Sequence, residues 1–199
     1  MSEQERASTL VVVAHPMDET LFFSTVCEGA DVIAVREEGG PGWSEERTAA
    51  FHAACGALGA RRGEVRGLAG LKGLGDYARV YTHSPQEDSA WHREVCLAVS
   101  REYGTLRVPA LGARPTEGGV LEEAPFLRKL TVLDSLYCGG SEQACTSALE
   151  GLPGVEAFTQ VEREDVVRTL SLTKPEIHAE LADPWCFATS PYERERYEL

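Results

Sequence analysis

Histidine and carboxylate side chains follow two apolar segments of the chain, in a pattern that suits a metal site. His15 and Asp18 come directly after the apolar run 9–14, His83 ends a second strand-like segment, and His92 lies in the segment after that. A catalytic zinc ion takes three nitrogen or oxygen ligands and keeps a further position for water. His15, Asp18 and His92 would supply such a set from two strand-end loops.

These residues also have a purely structural interpretation. A His-Pro pair after a strand often makes a turn, and Asp18 could cap the helix that follows it. Asp18 and Glu19 would both suit the positively charged end of that helix. His92 has the apolar neighbour Trp91 and could pack in the core. Spacing alone leaves both interpretations open.

Alternating strand-like and helical segments predict the framework that would bring these residues together. Apolar runs predict strands over 9–15, 31–38, 63–70, 78–83 and 105–112, and helical spacing predicts helices over 18–29, 45–58 and 89–103. Ser44 is the predicted N-cap of the second helix. This β-α-β-α series predicts an α/β fold, with a Rossmann-like parallel sheet flanked by helices. Ligands bind beyond the carboxyl ends of the strands in such sheets.

The pattern changes after residue 114. Segments 125–137 and 141–150 have helical spacing, segment 155–172 fits a strand or a helix, and the tail 190–199 has no assignable structure. We therefore predict a single domain over 1–199, with a core over about 8–114 and a C-terminal extension over about 120–199.

Composition narrows the classes of partner. The 199 residues carry a net charge of −13, which argues against nucleic-acid and anionic-membrane partners because both require a basic surface. No apolar stretch approaches the length of a membrane span, and the polar N-terminus does not resemble a signal peptide. The six cysteines lack a C-x-x-C pair, which predicts reduced thiols rather than disulfides. We expect a cytoplasmic protein with a small-molecule substrate, and the sequence leaves a homo-oligomer open.

Other common cofactor and nucleophile motifs are missing. The turn after the first strand has no G-x-G-x-x-G, so dinucleotide phosphates lack a close backbone approach. The glycine-rich segment 67–76 lacks the Lys-Ser/Thr ending of a P-loop, and no serine sits in a G-x-S-x-G elbow. The cysteines have no histidine partner in the sequence pattern, which gives nucleophilic cysteine catalysis little support.

The segment "VVVAHPMDETL" resembles the AHPDDE motif that opens the PIG-L/LmbE family of zinc-dependent N-deacetylases. Segment 32–60 is similar to the family's second strand, glycine loop and arginine-bearing helix, and segment 80–95 to its H-P-D-H motif and the helix that follows. Residues 129–137 resemble a later stretch that contains lysine, leucine and tyrosine. The likeness covers roughly the first two thirds of the chain.

The resemblance implies a Zn²⁺ cofactor held by His15, Asp18 and His92. It also implies that Arg47 helps to hold the substrate. Two positions depart from the family: Met17 replaces the catalytic base, and Ser89 replaces a histidine that assists the reaction. We expect both to face the substrate.

Further departures concern the substrate and the base. Gly70 and Ala50 stand where relatives carry acidic residues, so we expect a substrate other than N-acetylglucosaminyl compounds, in a specialised or natural-product pathway. Glu19 and Asp88 are the nearest acidic residues that could replace the missing base. Glu19 could instead support the metal ligands, and Asp88 could cap the helix of His92.

The leading prediction is a zinc-dependent hydrolase of the deacetylase or amidase type that acts on a small molecule. The alternative is a non-hydrolytic relative that binds a ligand or performs a metal-dependent reaction without hydrolysis, because the Met17 side chain accepts no proton. We place His83 among the residues that contact the substrate, and the sequence leaves a role for His83 at the metal open.

Overall fold

A computed structural model describes residues 9–37, 43–111, 115–138 and 154–171. These residues form seven strands: β1 (Thr9–Val13), β2 (Asp31–Val35), β3 (Arg62–Arg66), β4 (Arg79–Tyr81), β5 (Thr105–Pro109), β6 (Glu117–Val120) and β7 (Val155–Glu162). They also form five α-helices: α1 (Asp18–Phe23), α2 (Glu45–Ala57), α3 (Ala90–Glu102), α4 (Glu123–Val132) and α5 (Arg163–Leu170). A short 3-10 helix covers Leu68–Leu71, and a π-helical turn covers Leu133–Tyr137.

The strands make one sheet in the order β3-β2-β1-β4-β5-β7-β6. The first five strands of that order are parallel, and β7 pairs antiparallel with both β5 and the edge strand β6. The predicted α/β class is confirmed, but the sheet is mixed rather than wholly parallel. An antiparallel edge is common on otherwise parallel sheets.

The interior is buried on both faces of the sheet. All residues of β1 and β2 are buried, as their continuous apolar runs predict. Side chains alternate along β1, so Val11 and Val13 pack beneath α1, α2 and α4, while Leu10 and Val12 pack beneath α3 and α5.

The described part of the predicted C-terminal extension belongs to the same sheet as the predicted core. Strand β7 lies between β5 and β6, and its Phe158 is buried against Phe23 and Tyr81, with ring centroids 5.8 and 5.1 Å away. The segment that fitted either a strand or a helix contains both, β7 and then α5. The helix predicted over 141–150 and the tail 190–199 lie outside the described residues.

Serine side chains cap the two long helices that follow β2 and β4. Ser44 caps α2 as predicted, and its hydroxyl accepts the Arg47 backbone N–H at 3.1 Å. Ser89 caps α3 by accepting the His92 backbone N–H at 3.3 Å, so the alternative role of Asp88 as that cap is wrong. No helix within the described ranges has the length and apolar character needed to cross a bilayer.

Candidate metal centre

The carboxyl ends of β1 and β4 lie side by side at the middle of the sheet. Strand β1 has β2 on one side and β4 on the other, so the direction of strand addition reverses between β1 and β4. Open α/β sheets bind ligands at such a reversal. His15 follows β1, His83 follows β4, and His92 lies in the first turn of α3. The topology therefore brings these histidines to one place.

The turn between β1 and α1 has an unusual backbone conformation. Met17 has a φ of 98° and is the only non-glycine residue with positive φ among the described residues. Its N–H donates to Glu19 Oε2 at 2.9 Å, and its carbonyl accepts the N–H groups of Thr20 and Leu21. Such backbone conformations persist where surrounding contacts hold them, and they cluster at functional sites.

Asp18 is the carboxylate around which the histidines gather. Its Oδ2 accepts the His15 backbone N–H at 2.8 Å and lies 3.3 Å from His83 Nε2. Burial opposes ionisation, but the charge of His92 and the hydrogen bonds of His15 and His83 hold the pKa of Asp18 well below its usual range. Met17 occupies the N-cap position of α1, so the alternative role of Asp18 as that cap is wrong.

Three donor atoms form a triangle at this site. His15 Nδ1 lies 3.0 Å from His92 Nε2 and 3.5 Å from Asp18 Oδ2, and His92 Nε2 lies 3.6 Å from that oxygen. A tetrahedral zinc ion with bonds of about 2.0–2.1 Å separates its ligands by about 3.3–3.4 Å. The observed separations bracket that value, so the group can bind a metal ion. The His15 side chain is 31% exposed, which opens the triangle toward solvent.

Glu87 is a central residue that the sequence analysis missed. Its Oε2 accepts a hydrogen bond from His92 Nδ1 and contacts His83 Nδ1 at 3.2 Å, while its Oε1 accepts the Ser84 N–H at 2.7 Å. Burial opposes ionisation of this group as well, but the His83 and His92 rings lower the pKa of Glu87 to about 2. The only sequence signal was an acidic residue in the loop between the two histidines.

His83 lies behind the metal triangle, away from solvent. It is fully buried, and its Nε2 accepts the Ala14 backbone N–H at 2.9 Å while its Nδ1 faces Glu87. Both ring nitrogens are therefore engaged within the protein, and the expected contact between His83 and substrate has no exposed atom to make it. His83, Glu87 and His92 also lie close enough to hold a metal ion, but hydrogen bonds to one carboxylate account for their spacing.

Ala14 is held from two sides just before the candidate ligand His15. Its N–H donates to His83, and its carbonyl accepts the indole N–H of Trp91 at 3.1 Å. The loop after β4 and the first turn of α3 thus both form hydrogen bonds with the residue that follows β1. Trp91 is a hydrogen-bonding support of the site as well as an apolar neighbour of His92.

Glu19 is fully buried beneath the turn. Its Oε1 accepts the hydroxyls of Thr20 at 2.7 Å and Tyr137 at 2.6 Å, and its Oε2 accepts the Met17 N–H. Burial raises the pKa of Glu19 to about 7, although the hydrogen bonds of Tyr137 and Thr20 favour its charged form. Three donors hold this carboxylate, an arrangement that supports the backbone of Met17.

The remaining predicted residues lie at the carboxyl-end side of the sheet. Asp88 and Ser89 are half-buried in the loop before α3, and the Asp88 carbonyl accepts a hydrogen bond from Arg93 at 3.1 Å. Met17 is half-buried in its turn, and Arg47 is exposed in the first turn of α2. The triangle is thus assembled from the predicted ligands, while Arg47 stands on the neighbouring helix.

Comparisons with known proteins add a fold likeness. No family model matches the sequence, and no curated protein matches it. The structure is similar to the crystal structure of the conserved protein TT1542 from Thermus thermophilus, with 18% sequence identity and a TM-score of 0.48. That likeness covers 76% of this chain and 93% of the other.

Proposed function

We propose that the protein is a zinc-dependent hydrolase that cleaves an amide bond in a small molecule. The observation that carries this proposal is the triangle of His15 Nδ1, His92 Nε2 and Asp18 Oδ2 at the reversal point of the sheet. Two imidazole nitrogens and one carboxylate oxygen form a ligand set of catalytic zinc sites, which leave a position open. The resemblance of the surrounding segments to zinc-dependent N-deacetylases supports the same chemistry.

The spacing of the donors is compatible with zinc and with a metal that has six ligands. Octahedral ligands at about 2.1 Å stand about 3.0 Å apart on one face, whereas tetrahedral zinc ligands stand about 3.4 Å apart. Two of the observed separations, 3.5 and 3.6 Å, lie nearer the tetrahedral value, and the third, 3.0 Å, equals the octahedral one. The same residues could also form the two-histidine, one-carboxylate set of non-haem iron enzymes, so metal content is a direct test.

A zinc ion at this site would polarise the substrate's acyl carbonyl and make water nucleophilic near neutral pH. The residues around it prepare its ligands. Asp18 is fixed by the His15 N–H, and Glu87 turns His92 so that Nε2 faces the triangle. His15 is partly exposed, so a substrate can approach the triangle from the side of His15.

The proton acceptor is the part of the site that departs most from relatives. The Met17 side chain cannot take a proton, and the Glu19 oxygens are buried and held by three donors. Of the two candidate bases we therefore favour Asp88, which is half-buried in the loop before α3, four residues before His92. A positioned base is worth about 10²–10⁴-fold in rate.

The second candidate function is a metal-dependent ligand-binding protein, or an enzyme with non-hydrolytic chemistry. Two departures favour it: Met17 at the position of the family's base, and Ser89, whose hydroxyl oxygen accepts the His92 N–H. The half-buried Met17 would give one side of the site an apolar lining. This candidate predicts metal binding without amide hydrolysis.

Metal content and amide hydrolysis test the proposal together. Protein purified without chelator should contain zinc, and His15→Ala should lose it because two ligands rarely hold zinc tightly. His52→Ala is the matched control, since His52 is exposed on α2. A wild-type chain that takes up no added zinc refutes the metal site.

Rates on a panel of small amides then separate the two functions. Hydrolysis that is lost in Asp88→Asn and retained in Glu19→Gln supports the hydrolase with Asp88 as base. A zinc-loaded chain that hydrolyses none of the amides favours the binding or non-hydrolytic function.

A further inference from the structure

Glu87 reaches two histidines of the site with one carboxylate oxygen, from the side opposite Asp18. Its Oε2 meets Nδ1 of both His92 and His83, and its side chain is 14% exposed. The opposite nitrogens of the two rings point to different places. His92 Nε2 faces the donor triangle, and His83 Nε2 faces the backbone of Ala14.

Hydrogen-bond accounting assigns a hydrogen to Nδ1 of both rings. His83 has a carboxylate on each side, with Asp18 Oδ2 3.3 Å from Nε2 and Glu87 Oε2 3.2 Å from Nδ1, so its Nδ1 carries a hydrogen. The hydrogen on Nδ1 then points to Glu87. An ionised carboxylate only accepts, so the contact with His92 requires a hydrogen on its Nδ1 as well. His92 in its neutral form therefore presents a bare Nε2 to the triangle.

We propose that Glu87 is a positioning residue that sets the metal affinity of the site by fixing the tautomer and ring orientation of His92, with His83 held by the same oxygen. This inference rests on the proposed metal site. Carboxylates that accept the second N–H of a histidine ligand fix its tautomer, and losing such a partner typically costs about 10–100-fold in metal affinity.

The Ser84 N–H makes a carboxylate necessary at position 87. Glu87 serves three donors through two oxygens: Ser84 N–H on Oε1, and the two Nδ1–H groups on Oε2. A glutamine has one acceptor oxygen, so its amide group must turn an N–H toward Ser84 or toward the histidines. Glu87→Gln should therefore bind zinc less tightly than wild type and more tightly than Glu87→Ala.

Zinc affinity of the full-length protein, measured by competition with a chromogenic chelator, is the first test. We expect Glu87→Ala to lose about 10–100-fold in affinity and Glu87→Gln to lose less. Glu94→Ala is the matched control, because Glu94 is exposed on α3 two residues beyond His92, and it should keep wild-type affinity. Wild-type affinity in Glu87→Ala overturns the role of Glu87.

The proton position is the second test and needs no substitution at Glu87. Long-range ¹H–¹⁵N spectra of the metal-free wild type, with His92 assigned from a His92→Gln variant, should show hydrogen on Nδ1 and none on Nε2. Hydrogen on Nε2 of His92 overturns the inference even where Glu87→Ala fails to fold. A wild type that takes up no zinc overturns the metal site itself. A zinc-binding wild type with an insensitive Glu87→Ala variant overturns only the positioning role.

Discussion

Replacing Lys129 with methionine should show how much the buried ion pair between Lys129 and Glu156, next to α1, contributes to the free energy of unfolding. Lys129 is fully buried, and its Nζ donates to the Leu21 carbonyl at 2.6 Å and to Glu156 Oε1 at 2.9 Å. Leu21 belongs to α1, the helix that begins at Asp18. Methionine is close in shape to the lysine stem but carries no charge, so the variant leaves the Glu156 carboxylate buried without its cation.

The expected destabilisation follows from the contacts that remain. Breaking a buried pair by removing one partner costs about 3–5 kcal/mol. Glu156 keeps hydrogen bonds from Ser24 Oγ at 2.5 Å and from the Thr25 N–H and Oγ1 at 2.8 and 2.7 Å. We therefore expect the lower end, about 3 kcal/mol. For a protein of this size each kcal/mol lowers Tm by about 2–4 °C, so the shift should be about 6–12 °C.

Urea and thermal unfolding in the presence of a chelator provide the assay, because bound metal would add stability by mass action. Lys72→Met is the matched control, since Lys72 is exposed and should stay within about 0.5 kcal/mol of wild type. Adding Glu156→Gln to Lys129→Met should recover part of the loss by removing the unpaired charge. If Lys129→Met lowers the free energy of unfolding by less than about 1 kcal/mol, the pair does not behave as buried, because an exposed ion pair contributes no more than that.

Three further predictions concern the site and the thiols. With Asp88 as the base, Met17→Asp should leave amide hydrolysis nearly unchanged while Asp88→Asn loses it, and a gain of about 10²–10⁴-fold in Met17→Asp would show instead that the site lacks a base. Burial raises the pKa of Glu19 from 4.5 to about 7, so between those values the folded state holds a proton that the unfolded state releases, and the free energy of unfolding should fall as pH rises. Unfolding of metal-free Glu19→Gln at pH 5 and pH 8 should lack that part of the slope, and an identical slope in wild type and variant contradicts it. Thiol titration of the denatured, unreduced chain should find all six cysteines, while the four buried ones of the described residues (Cys27, Cys55, Cys96 and Cys138) react slowly in the native protein; a missing thiol would indicate a disulfide.

The three residues of the donor triangle were predictable because residue type and strand order can both be read from a sequence. His15 and Asp18 follow a fully buried strand, and His92 follows another strand by one loop and the start of a helix. The roles of their neighbours could not be read in this way. Glu87 lies in an irregular loop without periodicity, and nothing in its type shows that one oxygen will reach two rings.

The end of the sheet was harder to predict than its beginning. Strand β1 is apolar throughout, as expected for burial on both faces. Strand β7 instead mixes the buried Phe158 with Glu156, a polar residue buried because Lys129 meets it across 27 residues of sequence. That pairing is a tertiary contact, so the periodicity of the sequence alone could not decide whether the segment is a strand or a helix.

The two hydrogen bonds of the Ala14 backbone have a consequence for how the protein folds. Its two partners, His83 and Trp91, are 69 and 77 residues away along the chain, and His15 and His92 are also separated by 77 residues. Closing loops of that length costs chain entropy that local contacts around the turn cannot repay. The donor triangle therefore forms only after β4 has docked on β1, and a fragment that ends before β4 lacks the second histidine of the triangle. Uptake of metal during refolding would mark the moment at which the two central strands come together.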